Sequence, residues 1–204
     1  MVKYSDKKII EYLEALSARS PVPGGGSAAA LVGSLGASLL GMVMHFTAGK
    51  KGSEKHQAEI KKILLASYRL RDRLTRLIDE DIASYLEVSR AQRTAKLLST
   101  QEARDKAMKK ALRTALASSL NICKSSHRGL LLSRRVTEMA NTYLKSDAKA
   151  ATFFLFASFH AAFQMCEANI EWLKDDAVAK KTESVLLPLF QQADSLVKEA
   201  QKKR

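Results

Sequence analysis

Asp81 stands where an apolar side chain is expected. At about 100° per residue, Ile63, Leu70, Leu74, Leu77, Tyr85 and Val88 fall on one helical stripe, and Asp81 lies inside it. Asp79 and Glu80 point well away from the centre of that stripe, as flank or solvent residues. A carboxylate on a buried face must be paired, hydrogen-bonded or protonated. Two readings follow. Asp81 is held by an Arg, a Lys or a helix terminus, or its pKa is moved towards neutrality, which suits a general acid or base.

The second chemical feature is Ser20-Pro21-Val22-Pro23-Gly24-Gly25-Gly26-Ser27, the only long cluster of helix breakers in the chain. Consecutive glycines before a helix can turn several backbone N–H groups towards one point. The helix N-terminus adds partial positive charge, so a phosphate or carboxylate is favoured there. A tight interhelical turn is the plainer reading. The spacing matches neither a nucleotide-hydrolase phosphate loop nor a dinucleotide fingerprint, and no strand precedes it. His45, His56, His127 and His160 lack ligand spacing, which argues against a metal site. Asn141 and Asp147 flank the start of a later apolar helix, as caps or as polar site residues.

Helices must position these groups. The chain has 204 residues, 46% of them apolar, with 3 Pro and 9 Gly, which suits one domain over residues 1–204 built from long helices. A first helix capped by Ser5 runs to about Ser17, with Ile9, Ile10, Tyr12, Leu13 and Leu16 inward. A second begins near Ser27, carrying Leu31, Leu35, Leu39, Met42 and Phe46 at helical spacing. Beside them runs a small-residue row, Ala29, Gly33, Ala37 and Gly41, that lets another backbone approach closely. The second helix is expected to be central and packed on all sides rather than a membrane span. A long helix from about Glu54 to Ala95 follows, with a break allowed. Others span about Thr100–Lys124, Gly129–Leu144, a Ser146-capped segment to about Leu173, and Ala177–Lys203, with a kink at Pro188. The expected fold is an all-α antiparallel helical bundle.

The net charge of +13 is spread over many helix faces. No aromatic residues alternate with the basic clusters, which argues against nucleic acid. Residues 1–19 are amphipathic and carry no secretory signal, and two cysteines, Cys123 and Cys166, read as buried thiols of a reducing, cytoplasmic compartment.

The loop Ser20 to Ser27, the helix from Gly33 through Gly41-Met42-Val43 and the turn Thr47-Ala48-Gly49-Lys50-Lys51 together resemble the cyclodeaminase family. That family comprises the C-terminal domain of formiminotransferase-cyclodeaminase and stand-alone bacterial relatives, some of them methenyltetrahydrofolate cyclohydrolases. The likeness continues at Asp79-Glu80-Asp81-Ile82-Ala83-Ser84-Tyr85 and resumes at Asn141, Ser146-Asp147 and Asn169. It departs at Ser119, where the family usually has Pro, and at Met165, where it usually has Asn.

The resemblance implies an all-helical homodimer with a folate pocket at or near the subunit interface. No permanently bound cofactor is implied; a tetrahydrofolate derivative, polyglutamylated forms included, is the substrate. It implies a catalytic acid at Asp81, with Asp79 as a second candidate. Pro23, Gly24, Gly25, Gly26 and Ser27 would orient the substrate, Lys50 and Lys51 would meet a glutamate tail, and Asn141 and Asp147 are further candidates. The activity so implied is cyclodeamination of 5-formiminotetrahydrofolate. The alternatives are hydrolysis of the methenyl ring and a non-catalytic folate- or partner-binding dimer.

Overall fold

Scarce breakers and long apolar stripes produce six helices among the described residues. The computed structural model describes residues 3–48, 54–95 and 97–202. The helices are α1 (Ile9–Ser17), α2 (Gly25–Ala48), α3 (Gln57–Ala95), α4 (Gln101–Met139), α5 (Lys145–Leu173) and α6 (Asp176–Lys202), with short 3-10 turns at Tyr4–Asp6, Glu54–His56 and Thr142–Leu144. The five long helices alternate in direction, so α2 packs antiparallel to both α3 and α5. Gly33 of α2 meets Leu74 of α3 and Ser158 of α5, and Asn141, just past α4, reaches Thr47 at the far end of α2.

Close packing in α2 depends on its small residues. Ala29, Ala30, Gly33, Ala37 and Gly41 are buried. A Cβ on Gly33 would lie 2.5 Å from Ser158 Oγ, and one on Gly36 would lie 3.1 Å from the Ala151 carbonyl. At this distance Ser158 donates a 2.6 Å hydrogen bond to the Ala29 carbonyl and shares another, 2.7 Å, with Ser126. A polar bond inside an apolar seam fixes the register of α2, α4 and α5, at a net gain of about 0.5–1.5 kcal/mol each.

Several sequence expectations change here. The small row of α2 does face inward, but the larger row beside it turns outward: Leu35 is 50% exposed and Phe46 64%, so α2 is not packed on all sides. The inward face of α2 carries the small row together with Leu40, Val43 and Met44, all fully buried, and this turns Leu35 and Phe46 to the opposite side. α2 has the length and mean hydropathy, 1.7, of a membrane span, but 61% of that window is buried against other helices. Ile9, Ile10 and Leu13 also lie outward and only Tyr12 of α1 is buried. Ser5 does not cap α1; it donates to Asp79 instead.

The two helices expected at Thr100–Lys124 and Gly129–Leu144 are one, because Gly129 closes on Leu155 and Leu70 inside α4 rather than starting a new helix. Thr100 caps that helix through its hydroxyl. α3 runs unbroken from Gln57, and α5 begins at Lys145, so Ser146 sits in its first turn and does not cap it. α6 continues through Pro188; the carbonyl that the missing N–H would have met belongs to exposed Ser184. Cys123 and Cys166 are buried free thiols.

Candidate active site

Asp81 and the glycine loop meet at one end of the bundle. The stripe of α3 is buried at Ile63, Leu70, Leu74, Leu77 and Val88 as its period requires. At Asp81 the same stripe reaches the start of α2 and opens into a cavity of about 180 Å³. The loop contributes Val22, Gly24, Gly25 and Gly26, and α3 contributes Asp81, Ser84 and Tyr85. Ala115 and Ser119 come from α4, and Met165, Ala168, Asn169 and Trp172 from α5.

The carboxyl of Asp81 is packed on Gly26. A Cβ there would fall 2.6 Å from its Cγ and 2.7 Å from Oδ2, so only glycine allows this approach. Gly24 and Gly25 are under no such constraint; the nearest atom to a Cβ on Gly25 is Met165 Sδ at 3.5 Å. The backbone N–H of Ser27 donates to Asp81, which places the carboxylate at the N-terminus of α2. The anion met by this helix start is therefore the protein's own acid. Burial nonetheless dominates, and raises the Asp81 pKa from 3.8 to about 6, against the lowering effect of the Ser27 amide.

Ser27 is itself anchored. Its hydroxyl lies 2.8 Å from the phenol of buried Tyr12, which ties α1 to the first turn of α2. Burial raises the Tyr12 pKa, opposed by the Ser27 bond and reinforced by the charges of Asp81 and Asp79, so the phenol is neutral and able to donate. Pro23 is buried behind a cis Val22–Pro23 peptide bond.

The remaining candidates go elsewhere. Asp79 accepts from the Tyr4 N–H at 2.7 Å and from the Ser5 hydroxyl at 2.6 Å, so it anchors the N-terminal segment and does not line the cavity. Asn141 caps the 3-10 turn before α5 and bonds to Thr47 at the other end of α2, about 36 Å along a helix of 24 residues. Asp147 stands in the first turn of α5, about 27 Å along that helix from Met165. Lys50 and Lys51 lie outside the described residues.

The α5 wall was missed by the sequence reading as a site. Met165, Ala168, Asn169 and Trp172 recur at one helical face, and a mixed polar and apolar stripe carrying the chain's single Trp is the signal that could have marked it. The two departures from the family pattern, Ser119 on α4 and Met165 on α5, both line the cavity. A broader concavity of about 1200 Å³ involves Asp105, Lys106, Lys109, Lys110 and Arg113. It is the outer face of α4 alone, with no acid on an apolar wall, and offers no comparable chemistry.

The model of the family described as formiminotransferase-cyclodeaminase matches residues 8–186. The methenyltetrahydrofolate cyclohydrolase of Methylorubrum extorquens is 32% identical over 192 residues, covering 94% of this chain and 92% of that protein. The formimidoyltransferase-cyclodeaminase of Rattus norvegicus is 27% identical over 191 residues, covering 92% of this chain; the chain spans only 35% of that protein's length. The crystal structure of a formiminotetrahydrofolate cyclodeaminase from Thermotoga maritima superposes with a TM-score of 0.88 at 23% identity, covering 97% of this chain and 95% of that one. At that identity the likeness shows the fold.

Proposed function

The chain belongs to the formiminotransferase-cyclodeaminase family, and from that premise we propose that it is a formiminotetrahydrofolate cyclodeaminase with Asp81 as its proton shuttle. The observation that carries the reading is a carboxyl held at a helix N-terminus, inside a cavity, with its pKa raised to about 6. In cyclodeamination N10 of 5-formiminotetrahydrofolate attacks the carbon of the formimino group, which is protonated on its nitrogen. The Asp81 carboxylate accepts the N10 proton as the new C–N bond forms. It returns that proton to the formimino nitrogen, which leaves as ammonia and yields the 5,10-methenyl ring. An acid poised near the working pH does both steps, and such catalysis contributes about 10²- to 10⁴-fold.

The cavity volume of about 180 Å³ is below the roughly 300–1,000 Å³ of whole ligand sites, so one chain encloses the reacting head of a folate. Tyr85, 44% exposed, and Trp172, 58% exposed, stand at the rim as flat surfaces for a ring.

A second reading, hydrolysis of the methenyl ring to 10-formyltetrahydrofolate, is favoured by the full-length relative from Methylorubrum extorquens. There the same carboxylate takes a proton from water. Incubation with 5-formimino- and with 5,10-methenyltetrahydrofolate, following the methenyl absorbance, separates the two. A rise with the first supports cyclodeamination, and a fall with the second supports hydrolysis. No change with either overturns both.

The proposal includes a homodimer. Leu35 and Phe46 belong to an outward apolar row of α2 that no part of the described chain covers, and Leu31, Leu39 and Met42 are only partly covered. Light scattering is expected to give twice the chain mass. Leu35→Lys together with Phe46→Lys should weaken association by about 100-fold or more, since burying two charges in an apolar contact is unfavourable. A wild-type mass of one chain at micromolar concentration refutes the dimer.

A further inference from the structure

We propose that Asn169 is a specificity-determining residue whose side-chain carbonyl accepts a hydrogen bond from an N–H group at the reacting carbon of the substrate. The inference rests on the folate reading above and deepens it.

The amide's orientation is forced by its neighbours. Asn169 Nδ2 lies 2.8 Å from the Met165 carbonyl, and a carbonyl can only accept. It also lies 3.3 Å from Ser119 Oγ. That hydroxyl spends its single proton on the Ala115 carbonyl at 3.1 Å, so towards Asn169 it too is an acceptor. Both amide protons are thereby committed to the wall, and a flipped amide would set two lone pairs against each other. Oδ1 is the atom left over, and it has no hydrogen-bond partner among the described residues.

Ser84 Oγ donates to the Asp81 backbone carbonyl at 2.8 Å and so keeps only acceptor lone pairs too, but Ser84 is buried whereas Asn169 is half-buried and the more open to a ligand. Asp81 stands on a different helix and changes protonation near pH 6. Asn169 never titrates. It therefore offers a permanent acceptor that meets an N–H and repels a carbonyl oxygen in the same place. The formimino group, N5–CH=NH, presents such an N–H on its leaving nitrogen. The formyl group, N5–CH=O, has nearly the same shape with a lone pair there instead. Once a ligand covers the half-buried Asn169, an acceptor left unpaired by the wrong ligand discriminates far more than a shape difference.

The test uses this pair. Trp172, the only tryptophan of the chain, lines the cavity, so its fluorescence reports binding. Wild-type protein and Asn169→Leu are mixed rapidly with 5-formimino- or 5-formyltetrahydrofolate, and the binding phase is read before turnover. The wild type is expected to hold the formimino ligand about 100-fold more tightly. In Asn169→Leu the two affinities should come within about threefold, mainly through loss of the formimino ligand. A wild-type ratio below about threefold overturns the assignment and leaves the folate reading standing; this arm needs no variant to fold. A large ratio that survives Asn169→Leu also overturns it. Failure of both ligands to saturate overturns the folate reading, and Asn169's role with it.

Discussion

Asp81→Asn is expected to lower turnover about 10²- to 10⁴-fold and, above pH 6, to raise the stability of the protein. The two effects share one cause. The folded-state pKa of about 6 lies above the ordinary 3.8. Between those values the unfolded chain releases a proton that the folded chain keeps, so stability falls as pH rises through this window and stays reduced above it. The difference corresponds to about 3 kcal/mol at most. An amide still accepts from the Ser27 N–H but carries no charge to desolvate, so it removes the penalty. For a chain of this size the melting temperature should rise by several degrees at pH 7 to 8, with little change at pH 3 to 4. In the wild type, kcat/KM should decline as pH falls through about 6, as the base becomes protonated. Melting curves at two pH values and a pH–rate profile read all three. Near-normal turnover in Asp81→Asn removes this residue from the mechanism.

Gly26→Ala should be almost as damaging to activity and much less so to folding. Alanine favours the helix by about 1 kcal/mol, and α2 already contains this position. Its Cβ, however, would sit within 2.7 Å of the Asp81 carboxyl carbon and Oδ2, closer than any stable contact. The carboxyl is the end of a side chain and can swing away, whereas the α2 and α3 helices are held against each other at Gly33 and Leu74, about two turns further along α2. The acid therefore leaves its place against the Ser27 amide while the bundle persists. Displacement of a catalytic group by about 1 Å can reduce rate about 10²-fold. A loss of that order with a melting temperature within a few degrees of wild type is the expected result. Gly24→Ala is the matched control, since nothing lies within 4 Å of the added Cβ. Equal losses in both variants would mean that the loop acts through its flexibility and not through its contact with Asp81.

Asp81 and the glycine loop are both legible in the residue order alone. Each breaks a local pattern: an acid inside an apolar stripe, and a run of glycines in a chain otherwise poor in them. Their meeting is not legible there, since 55 residues separate Gly26 from Asp81. Asp79 marks the limit of periodicity. Its period sets it on the flank of α3, but the partner waiting there, the Tyr4 and Ser5 backbone, comes from the N-terminal segment, 75 and 74 residues earlier in the chain. Asn141 and Asp147 mark it again. They resemble family positions, yet the alternating directions of the helices carry them to the opposite end of α2 from the cavity.

By itself the sequence determined the helical class, the approximate helix limits, the seam of small residues in α2 and the unusual placement of Asp81. All of these follow from local period, propensity and steric size, which neighbours a few residues apart decide. Tertiary structure alone decided which face of α2 turns inward, that α4 runs unbroken, that Ser27 rather than a lysine or arginine meets Asp81, and that Ser119, Met165 and Asn169 form one wall. Those outcomes depend on how closely helices approach and in which register. Such distances are set by pairs of side chains far apart in the chain, of which Ser158 on the Ala29 carbonyl is the clearest.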